Sequence, residues 1–183
     1  MKKTLLLTLV LMLSASMAFA QAGSIGIFSD PGGSSCNLLD TAPGLLNLYV
    51  VHTLTPAATA SQWAAPQPAC MVGASYLSDT GIFPVTIGNS QTGVAVGYGA
   101  CLSAPIHCLT INFFGSGLSQ ACCYYGVVPD PSLPSGDIEV VDCDKNLLVA
   151  TGGGGILNPD ATCQCDVPAQ DTTWGKVKSI FAE

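Results

Sequence analysis

Arginine is absent from this sequence, and lysine is scarce. Beyond the first twenty residues only Lys145, Lys176 and Lys178 carry positive charge, against twelve acidic side chains. Such a chain lacks the bidentate guanidinium contacts that grip phosphates and guanine edges. Its acidic surface is also repelled by anionic lipid heads. Nucleic acid and anionic membrane surfaces are therefore excluded as partners. Charged residues make up 9% of the chain and apolar residues 49%, the reverse of a disordered composition.

Histidine is nearly as rare, with only His52 and His107. Nucleophilic catalysis needs a nucleophile, a base and an orienting group. No G-x-S-x-G elbow is present, and the carboxylates cluster in turns. Both histidines are expected at strand ends or in loops, facing solvent. The chain reads as not an enzyme and as needing no cofactor. A hydrolase would require His52 or His107 to meet a nucleophile and a carboxylate in one cleft. The run "TGGGG" (151–155) lacks the following Lys-Ser/Thr of a phosphate-binding loop. Its four glycines imply positive φ or close backbone approach.

Long apolar runs are missing except at the start. Lys2 and Lys3 precede the apolar stretch Leu5–Leu13, and Ala18-Phe19-Ala20 offers a small-x-small cleavage site. Residues 1–20 read as a signal peptide, removed to leave Gln21 first. No later run is long enough to span a bilayer. The expected address is outside the cytoplasm: periplasm, outer surface or medium of a diderm bacterium.

Cysteine, by contrast, is plentiful: Cys36, Cys70, Cys101, Cys108, Cys122, Cys123, Cys143, Cys163 and Cys165. In an oxidising compartment disulfides are the default. Four bridges would leave one thiol over, and the pairing is open. Adjacent Cys122 and Cys123 are expected to take different partners, because a vicinal bridge is strained. The C-x₂-C spacing of zinc ribbons is absent.

Short β-favouring runs alternate with Gly/Pro/Asn/Asp clusters. Ser24–Phe28, Leu46–His52, Ala60–Ala64, Cys70–Leu77, Ile82–Ile87, Gly93–Gly99, Cys108–Phe114, Cys122–Val128, Asp137–Asp142, Leu147–Ala150 and a last run near Ala161–Asp166 read as strands. "SDTG" (78–81) reads as a hairpin turn and "CDKN" (143–146) as another. In "CLTINFF" (108–114), Leu109, Ile111 and Phe113 share one face. In "GVAVGYG" (93–99) small and large residues alternate, as close packing demands. The pattern predicts an all-β, disulfide-stapled antiparallel β-sandwich over residues 21–166; a closed barrel is the alternative, but the irregular strand lengths favour two packed sheets.

Asp142, Asp144 and Asn146 stand at the alternate positions that open a calcium loop. The sixth position is Leu147 rather than Gly, and the twelfth is Gly153 rather than Glu, so a hairpin using local Asp and Asn bonds explains them better. No metal site is assigned. Tyr124 and Tyr125 are adjacent, so one of them faces outward in a strand. They are candidate binding residues, with Trp63 and Tyr76 behind them.

Residues 167–183 read as a linker and a short amphipathic helix. Trp174, Val177 and Phe181 fall at i, i+3 and i+7, away from Lys176 and Lys178. A helix this short is marginal alone. It must dock on its own domain or on a partner, with Trp174 as anchor.

"WGKVKSIF" (174–181) resembles a W-G-x-(V/I)-K-x-(I/L)-(F/Y) segment near the ends or domain junctions of uncharacterised secreted bacterial proteins. "SIGIFSDPGGSSC" (24–36), "LYVVHT" (48–53), "ATASQW" (58–63), "GDIEVVDCDKN" (136–146) and "NPDATCQC" (158–165) fit that group too. "NLYVVHTL" followed by "ATASQW" is also similar to early strands of cohesin-like and other immunoglobulin-like sandwiches. The resemblance implies an immunoglobulin-like or jelly-roll-like sandwich and carries no dockerin-binding motif. The function expected is a non-catalytic structural or interaction module. Its partner would be a protein or glycan at the cell surface. The alternative is a carbohydrate-binding module.

Overall fold

The computed structural model describes residues 22–165. The expected signal peptide and the linker and helix over 167–183 lie outside them. Among the described residues there is no helix, and the alternating runs form twelve strands. These are Ser24–Phe28 (β1), Asn37–Leu38 (β2), Pro43–Thr53 (β3), Ala58–Trp63 (β4), Ser75–Gly81 (β5) and Val85–Asn89 (β6). Gly93–Leu102 (β7), Ile106–Ser116 (β8), Cys123–Gly126 (β9), Ile138–Val141 (β10), Leu147–Gly152 (β11) and Gly154–Leu157 (β12) follow.

Nine strands make one sheet in the order β5-β8-β3-β1-β11-β10-β4-β7-β6. β2, β12 and β9 make a second, small sheet. The purely antiparallel expectation fails at two places: β1 pairs β11, and β2 pairs β12, in parallel. Both join segments more than a hundred residues apart, so no hairpin constrains their direction. The large sheet curls like a barrel, and residues from both of its halves share one core. Leu48 and Val50 of β3 and Leu109, Ile111 and Phe113 of β8 meet Trp63 of β4 and Val94 and Val96 of β7 in that core.

Several boundaries differ from the sequence reading. "SDTG" is not a turn; it is the second half of β5, paired to Asn112, Ile111, Thr110 and Leu109. Ile82-Phe83-Pro84 then carries the chain to β6, which pairs β7 at the opposite end of the strand order, so β5 and β6 form no hairpin. Residues 161–165 form a turn and irregular chain rather than a strand. In "GGGG" Gly152 ends β11, Gly153 is the junction and Gly154 and Gly155 open β12, and none of the four has positive φ. A Cβ on Gly152 or Gly154 would strike the carbonyl of Val127 or Tyr125, so close backbone approach is what requires glycine there.

Four disulfides staple the fold: Cys36–Cys165, Cys70–Cys123, Cys101–Cys143 and Cys122–Cys163. The adjacent pair does take separate partners, with Cys123 buried and Cys122 bridged to the last described loop. Cys108 is the free thiol and is buried. It occupies a bulge: Val50 faces Leu109, Val51 faces His107, and Cys108 is left without a cross-strand partner. The bulge turns both Cys108 and Leu109 into the core.

Candidate interaction face

The curled sheet has two outward faces, and they differ in chemistry. Over β3, β8 and β5 the cross-strand rows are Tyr49–Thr110–Thr80 and Asn47–Asn112–Ser78. Asn112 donates from Nδ2 to the Ser78 carbonyl (3.1 Å) and to Thr80 Oγ1 (2.9 Å). These two rows are polar; beyond them the face turns apolar, with Leu77 exposed and Leu45 opposite Phe114.

Over β11, β10, β4, β7 and β6 the rows read differently. One is Leu147–Val141–Ala60–Gly97–Val85, and the next is Val149–Glu139–Gln62–Ala95–Ile87. The large side chains stand at the sides: Val85 and Ile87 are 50% and 68% exposed, Leu147 and Val149 62% and 58%. Between them the β4 and β7 positions Ala60, Ala95 and Gly97 are small, beside Gln62, Val141 and Glu139. The result is a trough of about 240 Å³ lined by Ala60, Gln62, Ala95, Gly97, Val141 and their rims. Five strands at about 4.8 Å spacing span roughly 19 Å, enough to seat an apolar segment or a helix about 10 Å across.

Two polar groups punctuate the trough. Gln62 Nε2 donates to Asp130 Oδ2 at 2.9 Å, and Glu139 accepts from Ser135 Oγ at 2.8 Å. Burial pushes the Asp130 carboxyl up, but the Gln62 amide and the Ser132 bonds outweigh it and hold the group below the ordinary carboxylate value. Gln62 is therefore fixed by a neighbour rather than free to shift.

The histidines are not where the sequence reading puts them. His52 is fully buried, because it continues the inward face of β3 begun by Leu48 and Val50, while Val51 packs on the other face with Phe28 and Cys36. Its Nε2 donates to the Ala22 carbonyl at 2.6 Å, and its Nδ1 lies 3.3 Å from the Tyr98 hydroxyl. Tyr98 donates to Ser61 Oγ (2.8 Å) and lies 3.3 Å from Cys108 Sγ, while Trp63 Nε1 donates to Ser61 Oγ (3.1 Å). Burial lowers the His52 pKa, raises that of Tyr98, and pushes Cys108 up to about 11. A base, hydroxyls and a thiol thus meet in a sealed core and form no solvent-open active site. His107 lies within β8 rather than in a loop. It is half-buried against Thr110 Oγ1 (3.0 Å), its pKa lowered by burial.

The remaining candidates separate cleanly. Tyr124 is 57% exposed and lines a second groove with Phe28, Gly153 and Gly154; Tyr125 is buried, its hydroxyl donating to the Ala65 carbonyl. Trp63 is core and Tyr76 is half-buried against Phe113. Asp142 accepts from the Asp144 and Asn146 amides and from Asn146 Nδ2, so its oxygens close the β10–β11 turn. Cys122, Asp160 and Cys163 cluster, but the two sulfurs are spent in a disulfide. Trp174, Val177 and Phe181 lie outside the described residues.

The trough itself escaped the sequence reading, which weighed aromatics and charges. Its signal was present in β7: Gly93, Ala95, Gly97 and Gly99 alternate with Val94, Val96 and Tyr98. The small set floors the outer face, and the large set fills the core.

No family model matches the chain, and neither does any curated protein. Solved structures similar to it are cohesin domains. The sixth cohesin of scaffoldin B from Acetivibrio cellulolyticus, solved with a dockerin, is 13% identical with a TM-score of 0.43, covering 75% of this chain and 98% of its own. The third cohesin ScaC from the same organism is 15% identical with a TM-score of 0.40, covering 73% and 98%. A cohesin–dockerin complex from Clostridium thermocellum is 10% identical with a TM-score of 0.36, covering 75% and 100%. At these values the likeness assigns this chain neither a family nor a partner.

Proposed function

We propose that this chain is an exported, non-catalytic interaction module. It is built as an immunoglobulin-like or jelly-roll-like sandwich and docks an apolar segment of a partner protein in the trough over β11, β10, β4, β7 and β6. The observation that carries the reading is the contrast between the two outer faces: one holds Asn and Thr ladders, the other exposed Val, Ile and Leu around an Ala/Gly floor. An apolar exposed face of this kind marks an interaction site. Four disulfides suit an oxidising compartment outside the cytoplasm, and the sealing of His52 and Cys108 supports a role without catalysis.

The test is capture of partners from the envelope and medium of the source organism, followed by titration of each captured protein with native chain and with the Ile87→Lys/Leu147→Lys variant. Both positions are exposed, so the fold should keep its melting temperature. The variant should bind roughly tenfold or more weakly, as loss of central apolar contacts does. Equal affinity at an unchanged fold would refute the assignment.

A carbohydrate-binding role keeps one specific support, the exposed Tyr124 beside a glycine-floored groove. It requires glycan-dependent stabilisation that Tyr124→Ala abolishes.

A further inference from the structure

Something of defined chemistry is needed to cover the trough, and the chain carries a match. Residues 22–165 hold nine acidic side chains and a single lysine. The trough has Glu139 on its floor, and the turn at one end bears Asp142 and Asp144. The complementary occupant is apolar and basic. Residues 172–183 contain Trp174, Val177, Ile180 and Phe181 with Lys176 and Lys178, two of the three lysines beyond the leader.

Geometry permits the match within one molecule. Cys165 is bonded to Cys36 and lines the groove beside Ser24, Gly26 and Phe28 on the outer side of β1. From β1 the sheet order runs β11, β10, β4, so the trough centre is three strand steps away, roughly 15 Å. The stretch from Cys165 to Trp174, extended at about 3.3 Å per residue, reaches roughly 30 Å. A short tether of this kind holds its end at about millimolar effective concentration, so even weak docking is populated.

We infer that residues 172–183 occupy the trough of their own domain, Trp174 and its apolar neighbours on the Ala60/Ala95/Gly97 floor and the lysines toward Glu139, Asp142 and Asp144. This rests on the trough being a docking surface.

The full mature chain supplies its own probe. It has two tryptophans, and Trp63 is buried, so subtracting the spectrum of Trp174→Phe isolates Trp174. Its emission should be blue-shifted and resist acrylamide at all protein concentrations. Ile87→Lys and Glu139→Lys should each red-shift it and raise quenching several-fold, while Asn47→Lys on the polar face should not. Trp174 freely quenched in the native chain overturns the inference. So does protection that appears only on dimerisation, by light scattering, since the occupant is then a second copy. In either of those cases, partner binding still weakened by Ile87→Lys/Leu147→Lys would leave the trough's docking role standing.

Discussion

The His52 imidazole is gripped by the Ala22 carbonyl on one side and faces the Tyr98 hydroxyl on the other, with no carboxylate beside it. Burial therefore favours the neutral ring, and the folded pKa lies below the ordinary 6.5. An unfolded chain takes up the proton first. Stability is full above about pH 6.5 and falls as pH drops from there toward the lowered folded value. Proton NMR of the imidazoles should show His52 titrating below the ordinary histidine range, and the melting temperature should decline across the same window. His107 shifts in the same direction, so His107→Asn should retain most of the decline. A flat melting profile between pH 7 and 5 would contradict the buried neutral ring. Cys108 offers a second check. Its thiol is pushed up to about 11 and has no path to solvent. Iodoacetamide at pH 8 should leave the native chain unlabelled. In denaturant without reductant it should add one label per chain by mass spectrometry, at Cys108, since the other eight cysteines are bridged.

Two elements show backbone approach deciding residue type. Where β11 passes into β12, Gly154 lies against the Tyr125 carbonyl and the Tyr124 ring. Gly154→Val should cost about 1–3 kcal/mol by overpacking, read in urea unfolding. Glycine here answers to a neighbouring strand rather than to its own φ. The β10–β11 turn is the opposite case, since its residues bond locally. Lys145 takes a positive φ, and Asp142 gathers three donors from within the turn. Those bonds hold the Asp142 carboxyl below its ordinary value, the Asn146 amide contributing most. Asp142→Ala should lower the melting temperature, while EDTA should leave the native chain unchanged. A large EDTA effect would restore the calcium reading. Turn chemistry was legible at "CDKN" because the interactions span four residues. It misled at "SDTG" because β5 is fixed by β8, some thirty residues away.

The staples are distributed so that each ties elements distant in sequence. Cys101–Cys143 links the end of β7 to the β10–β11 turn, bracing the strands on either side of the trough floor, across a sequence separation of 42. Replacing both by serine should cost about 2–4 kcal/mol, chiefly by freeing the unfolded chain. Because both cysteines are exposed, little packing is lost with the bond. A change below about half a kcal/mol in denaturant unfolding would mean the reduced chain retains that loop. Cys36–Cys165 and Cys122–Cys163 fix the point from which the C-terminal segment leaves.

Sequence by itself determined the strand periodicity, the oxidised cysteines, the scarcity of cations and the separate partners of Cys122 and Cys123. Each follows from composition or from neighbours along the chain. Only the tertiary structure decided which cysteine stays free, since that depends on a bulge that sets β8 one residue out of register against β3. The same is true of the burial of His52, the parallel β1–β11 seam and the trough. Its rows draw single residues from five strands that lie next to one another only in the curled sheet, and no period along the chain encodes which strand becomes whose neighbour.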